Sequence, residues 1–216
     1  MIWAKEETLP RAEIEAIQLK RLKETVTYIY ERVEPYRKKM DEAKVKPEDI
    51  QTLQDLRKLP FTYKADFREN YPDGLFAVDK EDIVRYHASS GTTGKPTVVG
   101  YTANDLDIWL NNVARIACMG GATAKDVAQI SFGYGTFTGA LGLHGGLEKI
   151  GASVIPMSSG NSGKQMMFLQ DMGVTLLVAT PSYALHLGES LRECGVDPAR
   201  DLKTRIVLPT PCASHL

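Results

Sequence analysis

Tyr86-His87-Ala88-Ser89-Ser90-Gly91-Thr92-Thr93-Gly94-Lys95-Pro96-Thr97 is the stretch from which the rest of the chain can be read. Ile83-Val84-Arg85-Tyr86 before it and Val98-Val99-Gly100-Tyr101 after it are β-branched and aromatic, so the polar run is a loop between two strands. The loop carries no carboxylate. It offers hydroxyls from Ser89, Ser90, Thr92, Thr93 and Thr97, an ammonium at Lys95, and glycines at Gly91 and Gly94 that allow close backbone approach. Such a set suits phosphate oxygens; a solvated turn is the other reading that composition leaves open. A Walker loop does not fit, because it needs four residues between its glycines and a Ser or Thr after the lysine. Here only Thr92 and Thr93 separate the glycines, and Pro96 follows Lys95, so the chain leaves the loop extended, into a strand.

Downstream, strand and helix patterns alternate. Thr102 can cap a helix from Ala103 to Met119, with Leu106, Leu110, Val113 and Ala117 on one face and Gly120-Gly121 to end it. Strands are expected over 127–132, 152–156, 175–179 and 205–208, and helices over 139–150, 163–172 and 181–192. Repeats of this size imply an α/β fold, with a largely parallel sheet covered by helices on both faces.

Upstream, Leu19, Leu22, Val26, Ile29, Val33, Tyr36 and Met40 recur in steps of three and four, a helical packing stripe. Pro35 cannot donate its backbone hydrogen bond, so one helix should stop near Arg32 and a second start at Pro35. From Lys44 to Asp82 the chain is loop-rich, with a short helix over 53–57; Lys64 and Asp66 read as surface and helix cap. The expected division is a helical and loop-rich segment, 1–82, followed by an incomplete α/β subdomain, 83–216.

Composition narrows the partners. The 216 residues carry 26 basic and 27 acidic side chains, which gives no electrostatic footprint for nucleic acid or an anionic membrane surface. A small molecule is the default. Cys118, Cys194 and Cys212 are far apart and form no Cys-x-x-Cys pair, so they read as reduced thiols in a cytoplasmic protein, with neither a disulfide framework nor a zinc site. No apolar run reaches the roughly 18 residues of a membrane span, and Met1-Ile2-Trp3-Ala4-Lys5-Glu6-Glu7 has no signal-peptide core.

Ligands of open α/β sheets bind beyond the carboxyl ends of the strands. The turn after the 127–132 strand is Gly133-Tyr134-Gly135-Thr136-Phe137-Thr138-Gly139, where glycines let rings lie close to backbone. It is a flat apolar slot or an aromatic-capped loop. His144 and His87 read as packing residues rather than catalytic bases. Ser158-Ser159-Gly160-Asn161-Ser162-Gly163 follows a strand and opens a helix, so it is a second anion site or simply a cap. Thr180 and Pro181 suit the N-cap and first position of the next helix, at a strand's carboxyl end.

Ser89-Ser90-Gly91-Thr92-Thr93-Gly94-Lys95-Pro96 resembles the phosphate loop of the adenylate-forming enzymes, the superfamily of acyl-CoA synthetases. Its flanks, Tyr86-His87-Ala88 and Thr97-Val98-Val99-Gly100-Tyr101-Thr102, resemble the phenylacetate-CoA ligase branch; so do the opening Trp3 and Glu7-Thr8-Leu9-Pro10, the stretch Leu59 to Asp66, and Thr180-Pro181-Ser182-Tyr183. The resemblance implies part of the large N-terminal domain of those enzymes. It implies activation of phenylacetate or a similar aryl carboxylate by ATP, with Mg2+ as counterion, and transfer of the acyl group to coenzyme A. Ser89, Ser90, Gly91, Thr92, Thr93, Gly94 and Lys95 would hold the ATP phosphates, and Tyr134 and Phe137 would wall the aryl group. It places no catalytic and no metal-binding residue in this chain. Pro209-Thr210-Pro211-Cys212-Ala213-Ser214-His215-Leu216 lacks the Gly-Ala-Glu-Pro text that follows this strand in the family, so the expectation is a truncated ligase, inactive by itself. The alternative is a non-catalytic remnant that binds a ligand weakly or associates, with copies of itself or a partner, through its truncated edge.

Overall fold

The computed structural model describes residues 2–89 and 95–209. It contains two compact units, Lys5–Asp105 and a larger one made of Met1–Ala4 with Leu106–Leu216.

In the smaller unit, α1 (Arg11–Arg32) and α2 (Glu34–Glu42) meet at Val33, with Pro35 in the first turn of α2. That break is where the missing N–H of proline requires it. Val26, Met40, Val45 and Ile50 form the buried core between these helices and the turns that follow. The short α3 (Lys64–Glu69) is tied back to α2, because Lys39 Nζ donates to Asp66 Oδ2 at 2.6 Å and Asp66 accepts the Tyr63 N–H at 2.6 Å. Asp66 is therefore the cap that its position suggests. Strands β1 (Arg85–Ala88) and β2 (Val98–Tyr101) pair antiparallel, Arg85 opposite Tyr101 and Ala88 opposite Val98, so the polar loop is the connection of a hairpin.

The chain passes into the larger unit through α4 (Ala103–Met119). Thr102 and Asp105 cap its start reciprocally, at 3.1 Å from the Asp105 N–H to Thr102 Oγ1 and 2.9 Å from the Thr102 N–H to Asp105 Oδ2. Four strands follow: β3 (Val127–Ile130), β4 (Ser153–Ile155), β5 (Leu176–Ala179) and β6 (Ile206–Pro209). They lie parallel in the order β4-β3-β5-β6. Between them run α5 (Thr138–Lys149), α6 (Ser162–Asp171), α7 (Pro181–Glu193) and the short α8 (Pro198–Asp201).

Alternate residues of the strands feed two apolar layers. Ala128, Ile130, Leu176 and Val178 pack with α4 and α5, and Leu177 and Ala179 with α6 and α7, so the sheet is parallel and covered on both faces. Trp3 belongs to the first layer and donates from Nε1 to Asn111 Oδ1 at 3.3 Å. Helix α5 presses closest: an added Cβ at Gly142 would run into the Trp109 ring, and one at Gly146 into Val113.

The N-terminal end of the sheet is closed by a polar cluster. Asp126, 3% exposed, takes a bidentate contact from Arg205 Nη2 at 2.6 and 2.8 Å, the Thr123 N–H at 2.7 Å and the Thr175 hydroxyl at 2.6 Å. Burial pushes its carboxyl up, but these donors outweigh it and hold the group below its ordinary range.

Candidate functional site

The opposite end of the sheet is where the chain turns in two directions. The connection after β3 leads through α5 to β4 on one side, and the connection after β5 leads through α7 to β6 on the other. Adjacent strands whose connections diverge leave a crevice at their carboxyl ends. A cavity of about 380 Å³ lies there. Ser131 and Phe132 line it from the end of β3, Ser159 and Gly160 from the loop after β4, and Thr180, Ser182, Tyr183 and His186 from the start of α7.

Two buried amides hold residues that line this cavity. Gln129 sits in mid-strand and Gln165 on α6, both with no exposed surface. Gln165 Nε2 donates to the carbonyls of Ser158 and Gly160 at 3.0 and 2.9 Å, and its Oε1 accepts from Gln129 Nε2 at 3.2 Å. Gln129 Nε2 also donates to Ser131 Oγ at 3.2 Å. Ser131 thus uses its oxygen as an acceptor toward the core and keeps its own proton to donate. The loop held by Gln165 is unusual in its backbone: Ser158, Gly160 and Asn161 have φ of 65°, 82° and 50°. Side chains with a Cβ seldom adopt such angles outside sites where the surroundings impose them. Asn161 caps α6, its Oδ1 accepting the Lys164 N–H at 3.2 Å.

Thr180 caps α7, with Pro181 in the first turn. Its Oγ1 accepts the Tyr183 N–H at 3.4 Å and lies 3.5 Å from Ser182 Oγ, so the two hydroxyls share one hydrogen bond. On the wall, Ser162 Oγ lies 3.1 Å from Tyr183 Oη and 3.5 Å from His186 Nε2. Among the described residues, the lining contains no carboxylate. A donor-rich, carboxylate-free lining around aromatic rings suits a ligand that brings hydrogen-bond acceptors and an apolar part.

Of the residues expected to bind phosphate, Ser90, Gly91, Thr92, Thr93 and Gly94 lie outside the described residues. Ser89 and Lys95 are described, at the two stems of the hairpin loop. The Ser89 N–H donates to the Thr97 carbonyl at 3.0 Å, and Ser89 Oγ accepts the Thr97 N–H at 2.9 Å. Lys95 is exposed, its Nζ 5.2 Å from the centre of the Tyr71 ring. His87 is buried in β1 and meets Tyr101 edge-on at 5.4 Å.

Tyr134 and Phe137 occupy the turn between β3 and α5. Phe137 is 43% exposed at the N-cap of α5. Tyr134 is half-buried against the core, its hydroxyl 3.1 Å from His144 Nδ1, and His144 Nε2 lies 3.0 Å from Glu148 Oε1. Burial first, and then the charge of Glu148, pushes the Tyr134 phenol up to about 12. The cavity is lined by neither Tyr134 nor Phe137.

Gln129, Gln165 and His186 are not singled out by the sequence. Gln129 offers a signal, a polar residue inside an apolar strand; His186 has only its position one turn after Ser182. Among the described residues, no group of three His, Cys, Asp or Glu side chains could hold a metal ion, and no helix is long and apolar enough to cross a membrane.

No protein-family model matches the chain. Among curated proteins it is similar to the phenylacetate-coenzyme A ligase of Thermus thermophilus, 51% identical over 192 residues, which is 89% of this chain and 43% of that protein. The phenylacetate-coenzyme A ligase of Escherichia coli is 52% identical over 192 residues, 88% of this chain and 44% of that protein. This chain therefore spans less than half the length of the curated relatives it matches. Among solved structures it is similar to 2-hydroxyisobutyryl-CoA ligase in complex with 2-HIB-AMP and CoA, with a TM-score of 0.89 and 30% identity over 95% of this chain and 45% of that one. An open conformation of that ligase gives a TM-score of 0.87 at 29% identity. Over about nine-tenths of its length, this chain is a homologue of the phenylacetate-coenzyme A ligases.

Proposed function

We propose that the chain supplies phosphate and acyl recognition to the activation of an aryl carboxylate of the phenylacetate type. The observation that carries this reading is the 51% identity over 192 residues to a phenylacetate-coenzyme A ligase. In the reaction, a carboxylate oxygen attacks the α-phosphorus of ATP and pyrophosphate leaves, giving an acyl-adenylate. The thiol of coenzyme A then attacks the acyl carbon, and AMP leaves. The first step gathers negative charge on phosphate oxygens, so its catalysis rests on positioning and charge neutralisation.

Ser89 through Lys95 would hold the β- and γ-phosphates, with the Lys95 ammonium neutralising charge. Magnesium would be carried by the nucleotide, ligated by phosphate oxygens. Tyr134 and Phe137 would wall the aryl group, and the cavity at the carboxyl ends of β3 and β5 would take a further, acceptor-bearing part of the ligands. The chain spans 43% of the relative's length, and we propose that it does not complete the reaction alone.

Calorimetric titration of the chain with ATP, tripolyphosphate and phenylacetate separately tests the reading. Wild-type chain should bind ATP and tripolyphosphate, and Lys95→Ala should weaken both by about tenfold, the scale of one lost charge-assisted contact. Equal affinity of the two proteins would remove the phosphate role. Exchange of labelled pyrophosphate into ATP, dependent on phenylacetate and catalysed by the chain alone, would overturn the proposed incompleteness.

A further inference from the structure

The Tyr134–His144–Glu148 row has a direction. An ionised carboxylate only accepts, so the nitrogen 3.0 Å from Glu148, Nε2, carries the proton. In a neutral imidazole the other nitrogen is then bare, so Nδ1 accepts the Tyr134 hydroxyl proton across 3.1 Å. The raised phenol stays a donor. The rings of Tyr134 and His144 meet edge-on at 5.9 Å and 85°, which fixes the tyrosine ring as well as its hydroxyl. The helix that carries His144 and Glu148 cannot drift, because Gly142 and Gly146 seat it directly on Trp109 and Val113 of α4.

We infer that His144, oriented by Glu148, is a positioning residue that locks the Tyr134 ring and commits its hydroxyl proton inward, leaving Tyr134 with only a ring face and an accepting oxygen to offer a ligand. The inference rests on the proposal that Tyr134 walls the acyl site. It then names the substrate class: an aryl acid whose ring is apolar or carries a donor fits this wall, whereas a ring substituent that only accepts meets a lone pair.

The test uses the full chain and has a ligand-free arm. Long-range nitrogen–proton NMR should show the Nε2–H tautomer of His144, and Glu148→Gln should weaken that preference. Calorimetric titration with phenylacetate should show His144→Asn, whose side-chain oxygen can still accept from the phenol, close to wild type. His144→Leu should bind about three- to tenfold more weakly, the worth of one hydrogen bond. An Nδ1–H tautomer, or a His144→Leu chain that binds as wild type does, overturns the inference. A wild-type chain with the expected tautomer that binds no phenylacetate bears out the row and overturns the acyl-wall reading beneath it.

Discussion

The two ends of the parallel sheet use buried polar groups in opposite ways. At the N-terminal end, Asp126 gathers donors from Arg205, Thr123 and Thr175 until its carboxylate is saturated, and the positive φ angles nearby, at Gly121, Gly151 and Gly173, all fall on glycines. At the carboxyl end, Gln129 and Gln165 are equally buried, but Gln165 holds a loop with three positive φ angles, and Gln129, bonded to Gln165 and to Ser131 Oγ, leaves Ser131 with a proton still to donate. One end is closed on itself and stabilises the sheet. The other stays chemically open around a cavity. The difference teaches that burial of a polar side chain does not by itself mark a site; what marks it is hydrogen-bonding capacity left facing a void.

Asp126→Ala is the sharpest way to break this contrast. It strands Arg205 and two threonine donors, and should cost about 2–4 kcal/mol, near the lower part of the range for breaking a buried pair because Arg205 is half exposed. Urea unfolding measures it, and a cost below about 1 kcal/mol would mean the N-terminal end is not the clamp described. Gly146→Ala comes next. Its Cβ would collide with Val113, and about 1–3 kcal/mol of overpacking should appear in the same measurement.

Gln165→Leu carries the comparison to the carboxyl end. The carbonyls of Ser158 and Gly160 lose their donor, at about 1–3 kcal/mol. Unlike Asp126→Ala, it should also displace the Ser159 and Gly160 backbone amide resonances in NMR spectra; unchanged amides would show that the loop holds its shape without the amide pair. The effect of pH should separate the ends further. Folded Asp126 binds its proton more weakly than the unfolded side chain, whose pKa is 3.8, so its contribution is present above that pH and lost as pH falls through the lower folded value. Acid unfolding of Asp126→Asn should lack that part of the slope, whereas Gln165→Leu should keep it. The smallest effect is expected for Thr180→Ala, about 0.5–1 kcal/mol for a cap accepting at a long 3.4 Å.

Much of this architecture is legible in the residues. The break at Val33 follows from Pro35, the cap of α4 from Thr102 and that of α7 from Thr180 and Pro181, each a local consequence of one missing or supplied hydrogen bond. Strand ends are less legible. The 127–132 pattern yields β3 only to Ile130, because Ser131, though its N–H still donates to the Val178 carbonyl, turns into the cavity wall, and nothing in a run of apolar residues announces where pairing stops. At the candidate site the divide is the same. Thr180 and the polar loop at 158–163 stand at strand ends by pattern alone, whereas Gln129 reads as one more residue of a strand until its partner 36 positions away is known.

The amino-acid sequence by itself determined the alternation of strands and helices, their caps and breaks, and a polar loop without carboxylates between β1 and β2, because those depend on residues within a turn or two of one another. Only the tertiary structure decided the order β4-β3-β5-β6, and with it which loops share a crevice, since strand pairing is settled by the packing of both faces. It alone joined Asp126 to Arg205 across 79 residues, Gln129 to Gln165, and Tyr134 to a histidine and carboxylate on the next helix. Those contacts are side-chain geometry, which spacing in a chain does not encode until the backbone brings the groups within hydrogen-bond reach.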